Sequence, residues 1–129
     1  MTPAIRVLDT GALLAYAEGT DPQVAYQLSF CADLNRSMMT SVLCVAEAYQ
    51  RAGSDAADLL DVLLDLPTVD IVECRPQDGF MVGTIAKRAG RLSLAHSCLL
   101  VLSEDVPLMT RDVVGARTVL EEPMIWAVD

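Results

Sequence analysis

The chain opens on a mostly apolar run, Ala4–Leu8, that ends at a lone acid, Asp9. Such a run reads as a buried strand. Gly11–Glu18 (GALLAYAE) reads as a helix stopped by Gly19. Asp21-Pro22 supplies an N-cap acid followed by proline at the first helical position, and the helix it opens extends to about Asn35. Ser37–Thr40 is a short strand. Ser41 caps a helix through about Ala52 that Gly53 closes, and Ser54 or Asp55 begins the next, which ends at Pro67. On that helix Asp55, Asp58, Asp61 and Asp65 share one face, because offsets of three and four align, and Leu59, Val62, Leu63 and Leu66 line the other. A solvated face opposite a core face explains this pattern; a dock for a basic partner is the alternative. The β-branched segment Thr68–Cys74 predicts a strand. Pro76 opens a helix to about Ala89, stopped by Gly90, and Ser93 caps another to about Ser103. Val106–Met109 is a strand running into Thr110-Arg111-Asp112, and Pro123–Val128 is a last possible strand.

Strands alternating with helices predict an α/β fold of three layers, α/β/α, around a central, mostly parallel sheet of four or five strands with right-handed crossovers. A chain of 129 residues without repeat or linker predicts one domain over 1–129. Hydrophobic residues make up 53% and charged residues 21%, which excludes a disordered chain. The longest uninterrupted apolar stretches, such as Cys98–Leu102, fall far short of the ~20 residues of a membrane span. Met1–Leu8 carries no signal-peptide pattern, so the expectation is a soluble, cytoplasmic protein. Cys31, Cys44, Cys74 and Cys98 form no C-x-x-C pair and read as reduced, mainly core residues.

Charge changes the picture more than composition does. The formal net charge is −9, which excludes a protein that coats duplex nucleic acid through a broad basic surface. It is compatible with solubility alone, with a basic partner, or with a metal site built of carboxylates.

Ligands of parallel sheets bind at the carboxyl ends of the strands. Asp9 closes the first strand, Asp112 follows the fourth, and Glu47 lies on the helix after the second among Val42, Val45, Ala46 and Ala48. Three acids at one sheet edge repel one another, and a hard divalent cation, Mg²⁺ or Mn²⁺, relieves that and can activate water at a phosphate. The competing reading makes Asp9 and Asp112 helix caps and pairs Glu47 with an arginine.

Three blocks carry a resemblance: Val-Leu-Asp-Thr-Gly-Ala-Leu-Leu-Ala-Tyr (7–16), Thr-Ser-Val-Leu-Cys-Val-Ala-Glu-Ala-Tyr (40–49) and Val-Pro-Leu-Met-Thr-Arg-Asp (106–112). In this order they resemble the blocks of a PIN domain, nearest to bacterial VapC-type toxin ribonucleases, and the likeness spans essentially the whole chain. It implies a PIN-like fold and hydrolysis of RNA by a water activated at Mg²⁺ or Mn²⁺. It places Asp9, Glu47 and Asp112 on the metal as the catalytic acids, with Thr10 and Thr110 as supporting residues. It also implies a homodimer and an antitoxin protein that inserts a helix into a groove and an arginine or similar side chain into the acids.

One position departs from the family. An acid is usual in the context Leu-Ser-Leu-Ala-Asp, and here Leu92-Ser93-Leu94-Ala95 is followed by His96. His96 reads either as a hydrogen-bonded structural residue or as a supporting ligand that suits Mn²⁺ better than Mg²⁺. The enzyme reading predicts that aspartate at 96 raises activity. The alternative is a PIN-fold binding or interaction module with weakened or lost chemistry. Lys87, Arg88 and Arg91 form the dense basic cluster, and Arg111 flanks Asp112. These are candidate RNA contacts, although cations at a helix C-terminus also follow from the dipole. Asp9-Thr10-Gly11 also matches an aspartic protease, but the helical Ala12–Glu18 segment argues against that all-β fold.

Overall fold

The computed structural model describes residues 3–129. In chain order the elements are β1 (Ala4–Leu8), α1 (Thr10–Glu18), α2 (Gln23–Asp33), β2 (Ser37–Ser41), α3 (Val42–Arg51), α4 (Ser54–Leu64) and β3 (Val69–Val72). Then come α5 (Gly79–Ala89), α6 (Leu92–Glu104), β4 (Leu108–Thr110), α7 (Val113–Arg117) and β5 (Ile125–Ala127). The five strands form one parallel sheet in the order β3-β2-β1-β4-β5. Leu8 pairs with Thr40 of β2 on one side and Met109 of β4 on the other, so β1 is central.

Both faces of the sheet are covered, as parallel sheets require. Successive side chains of a strand point to opposite faces, and β1 supplies both cores. Leu8 packs with Leu13, Met38, Leu60, Leu63 and Met109 under α1–α4. Val7 packs with Ile85, Leu94, Val101 and Leu108 under α5–α7. No helix among the described residues is long and apolar enough to cross a membrane.

The structure moves several boundaries. Pro76 opens a 3₁₀ turn, Pro76–Asp78, in which the Asp78 carboxylate accepts from Arg75 N (3.1 Å), and α5 starts only at Gly79. The border strand β3 is confined to four residues, where its Val72 pairs with the last residue of β2, Ser41. Arg91, not Ser93, stands at the N-cap of α6, in extended conformation after Gly90, whose φ of 96° is left-handed. The five-residue α7 is too short to leave a periodic signal. A 3₁₀ turn, Glu122–Met124, shortens the last strand.

Candidate active site

The sheet order sets the place. From β1 the chain proceeds outward to β3, then returns to lay β4 and β5 on the other side of β1. The resulting switch point lies at the carboxyl ends of β1 and β4, where the crevice of such sheets opens. Asp9 directly follows β1, Asp112 follows β4 by two residues, and Glu47 rides on α3, which begins where β2 ends.

Asp9 is 2% exposed and caps α1: Ala12 N donates to its Oδ1 at 2.9 Å. The Thr110 hydroxyl donates to its Oδ2 and itself accepts from Asp112 N (2.8 Å), so one threonine ties the two acids. Burial pushes the Asp9 carboxyl up to about 6, against the pull of the Thr110 and Ala12 bonds and of Arg91, with the Asp112 charge adding a small push. Asp112 caps α7 through Gly115 N (2.9 Å), and its second oxygen accepts from Arg91 Nη2 (3.1 Å). Glu47 accepts from the Ser93 hydroxyl (3.1 Å) and pairs with Arg91 Nη1 (3.6 Å) and, one turn along α3, with Arg51 (3.8 Å).

Thr110 thus links Asp9 to Asp112, and the guanidinium of Arg91 stands between Asp112 and Glu47. A cavity of about 210 Å³ opens here, lined by Asp9, Gly11, Arg51, Arg91, Arg111 and Asp112. The helix caps and the Glu47–arginine pair of the competing reading are all present. Among the described residues, no three acid, histidine or cysteine side chains are grouped so as to hold a metal ion as they stand. The donor chemistry, three carboxylates, suits a hard divalent cation.

The remaining candidates separate. Thr10 is buried against the Cys44 thiol rather than turned toward the acids. Burial, helped by the Asp9 charge, raises the Cys44 thiol to about 11, so it is inert. His96 does not join the acids. Its Nδ1 lies 2.6 Å from Ser41 Oγ, and it lines a separate cavity with Met39, Val72, Arg75 and Asp78. Burial lowers the His96 pKa, and the Asp78 charge opposes that. The reason is helical rotation: Ser93 and Ser97, one turn apart, face Glu47 and Cys44 of α3, which turns His96 toward β2 and the border strand. Arg111 lines the acid cavity but serves as a brace, bonded to Glu18 (3.1 Å), Thr20 (2.6 Å) and the Asp129 carbonyl (2.9 Å). Lys87 and Arg88 sit in the last turn of α5, and Arg88 lies beside Thr84, Ile85 and Val119, away from the acid cavity.

Sequence reasoning placed Arg91 among RNA contacts and Ser93 at a cap, and missed that both touch Glu47. One signal was readable: a long cation immediately before a helix sits at the end of the dipole that disfavours it.

No family model matches the chain, and no curated protein matches it by sequence. Solved structures share its fold. The crystal structure of VapBC2 from Rickettsia felis bound to a DNA fragment from their promoter superposes with a TM-score of 0.66 at 16% identity, covering 97% of this chain and 99% of that one. That of PAE2754 from Pyrobaculum aerophilum gives a TM-score of 0.61 at 19% identity, covering 95% and 83%. The chain thus has a PIN-like α/β/α fold, with a sheet of five strands, all parallel.

Proposed function

We propose that this chain is a metal-dependent endoribonuclease of the PIN type, hydrolysing RNA phosphodiesters at the cavity beside Asp9, Glu47 and Asp112. One observation supports the reading: three acids that follow three adjacent parallel strands are linked, Asp9 to Asp112 through Thr110 and Asp112 to Glu47 through Arg91, at the carboxyl edge of a PIN-like sheet. Asp9, Glu47 and Asp112 would hold Mg²⁺ or Mn²⁺. When bound, such an ion supplies a Lewis acid that makes water more acidic and offsets charge on the phosphate. The residues divide the remaining work. Asp9, buried and doubly hydrogen-bonded, is a fixed anchor. Glu47 and Asp112 are partly exposed and can orient a water and accept its proton. Thr110 fixes the spacing of Asp9 and Asp112. Arg51, on the cavity wall, is placed to meet a phosphate oxygen. A toxin-type setting with an antitoxin protein and a homodimer belongs to the same proposal, supported by the fold shared with VapBC2.

A second reading, a PIN-fold interaction module without cleavage, is favoured by one specific observation: Arg91 neutralises the acids and His96 adds no ligand to them. Calorimetric titration with Mn²⁺, run on wild type and Asp9→Asn beside an RNA-cleavage assay, separates the two. Binding and cleavage lost together in Asp9→Asn support the nuclease. Absence of both in wild type leaves the interaction module.

A further inference from the structure

We infer that Arg91 is the built-in counter-ion of the acid site, and that its guanidinium and a divalent cation compete for the same carboxylates. The inference rests on the metal-site reading above and says what loading that site requires.

Three observations carry it. Arg91 comes from the α5–α6 corner, an element that supplies no acid, yet its two Nη atoms reach Asp112 at 3.1 Å and Glu47 at 3.6 Å. Among the described residues it is the only cation paired with both. Arg51 touches Glu47 alone, at 3.8 Å with a side chain 46% exposed, and Arg111 is bound to Glu18, Thr20 and the Asp129 carbonyl. Without Arg91, Asp112 would lose its guanidinium partner and Glu47 would keep only Arg51, which leaves neighbouring like charges less compensated.

The contact is also built to be replaceable. Each acid receives one oxygen contact rather than the two-point clasp that makes arginine–carboxylate pairs strong. Arg91 Nε is buried without a hydrogen-bond partner. The residue stands at the N-cap of α6, where the helix dipole opposes a cation. Its side chain is 31% exposed, so rotation of that side chain alone leads out of the cavity. A divalent ion arriving while the guanidinium remained would sit beside a like charge. At about 4 Å that repulsion is large even with the screening typical of a protein surface. Ion binding and departure of Arg91 are therefore one event.

The test is Mn²⁺ titration calorimetry on protein freed of metal by chelation, comparing wild type with Arg91→Met. Arg36→Met, at the opposite edge of the sheet where β2 begins, controls for net charge. Arg91→Met is expected to bind Mn²⁺ about tenfold or more tightly than wild type, and Arg36→Met to bind as wild type does. Without ion, Arg91→Met should melt below wild type and gain more on Mn²⁺ addition. Arg91→Lys covers the case in which the methionine variant fails to fold: an ammonium cannot span both acids, so binding should tighten by a smaller factor. Equal or weaker binding in the folded Arg91 variants, with wild-type binding still abolished by Asp9→Asn, overturns the inference and leaves the metal site standing. No Mn²⁺ binding by any variant overturns both.

Discussion

Asp9 is an anion in a place that disfavours one. Its carboxyl titrates at about 6 in the fold, against an ordinary 3.8 when unfolded. The folded state therefore holds the Asp9 proton over that window while the unfolded state has lost it. The stability Asp9 contributes is complete below 3.8 and is lost as pH rises through 6. In chelator, Asp9→Asn should thus be more stable than wild type at pH 7.5, by at most roughly 3 kcal/mol, with the difference closing toward pH 4. Thermal unfolding of both proteins across that range checks it, and parallel profiles would count against it. His96 acts with the opposite sign, because burial lowers its pKa and charging it costs stability as pH falls. Of the two sequence readings of His96 the structure bears out the hydrogen-bonded structural one, and it is Ser93, expected as a cap, that reaches an acid. Aspartate at 96 would place a carboxylate beside Ser41 and near Asp78, so His96→Asp should lower the melting temperature and leave Mn²⁺ affinity unimproved. Ser93 lies 3.1 Å from Glu47, so Ser93→Asp adds a fourth acid where it matters and should tighten Mn²⁺ binding several-fold. The two titrations side by side decide which position faces the site.

At the scale of elements, α7 holds Asp112 in place. A Cβ on Gly115 would lie 2.7 Å from Leu94 Cδ2, 2.8 Å from the Ala89 carbonyl and 2.9 Å from Asp112 Oδ2. The carbonyl belongs to the end of α5 and cannot yield cheaply. Gly115→Ala should therefore destabilise by about 1–3 kcal/mol and weaken Mn²⁺ binding by shifting Asp112 without removing it. Gly83, within α5, meets nothing within 4 Å. Gly83→Ala should stabilise by roughly 0.5–1 kcal/mol through helix propensity. Denaturant unfolding of the pair measures both signs, and a neutral Gly115→Ala would show that α7 moves freely. Elements of this kind also mark what the sequence could and could not say. β1 and α1 were legible because an apolar run with a closing acid, or a helix with a closing glycine, is a local signal. The positions of Asp9 and Asp112 just past β1 and β4 were legible because each acid follows an apolar segment. The 3₁₀ turn at Pro76, the five-residue α7 and the direction of His96 were not, because each depends on which neighbour an element leans against. Arg91 is the sharpest case: its place depends on how the α5–α6 corner sits against α3, a contact between residues more than forty apart in sequence.

At the scale of the whole molecule, topology makes the site and charge limits what can reach it. The order β3-β2-β1-β4-β5 puts the strands preceding Asp9, Glu47 and Asp112 side by side, so the three acids follow neighbouring strands at one edge of the sheet. Around them lies a chain of net charge −9. Of the cations near the cavity, Arg111 is spent on Glu18 and Thr20, which leaves Arg51 and a displaced Arg91 to meet phosphate. Lys87 and Arg88, in the last turn of α5, are not part of that cavity. An RNA held by two such contacts should show a shallow salt dependence. With about 0.7 per neutralised phosphate on a single strand, the slope of log K against log [NaCl] should be no steeper than about −1.4. Affinity should instead depend strongly on Mn²⁺, which offsets local negative charge and releases Arg91. Fluorescence anisotropy with a short single-stranded phosphorothioate RNA, titrated at several NaCl concentrations with and without Mn²⁺, measures both dependences. A slope of about −2.8, as four neutralised phosphates would give, unchanged by Mn²⁺, would mean that RNA follows a longer basic track through Lys87 and Arg88 and that the acid cavity does not govern its binding.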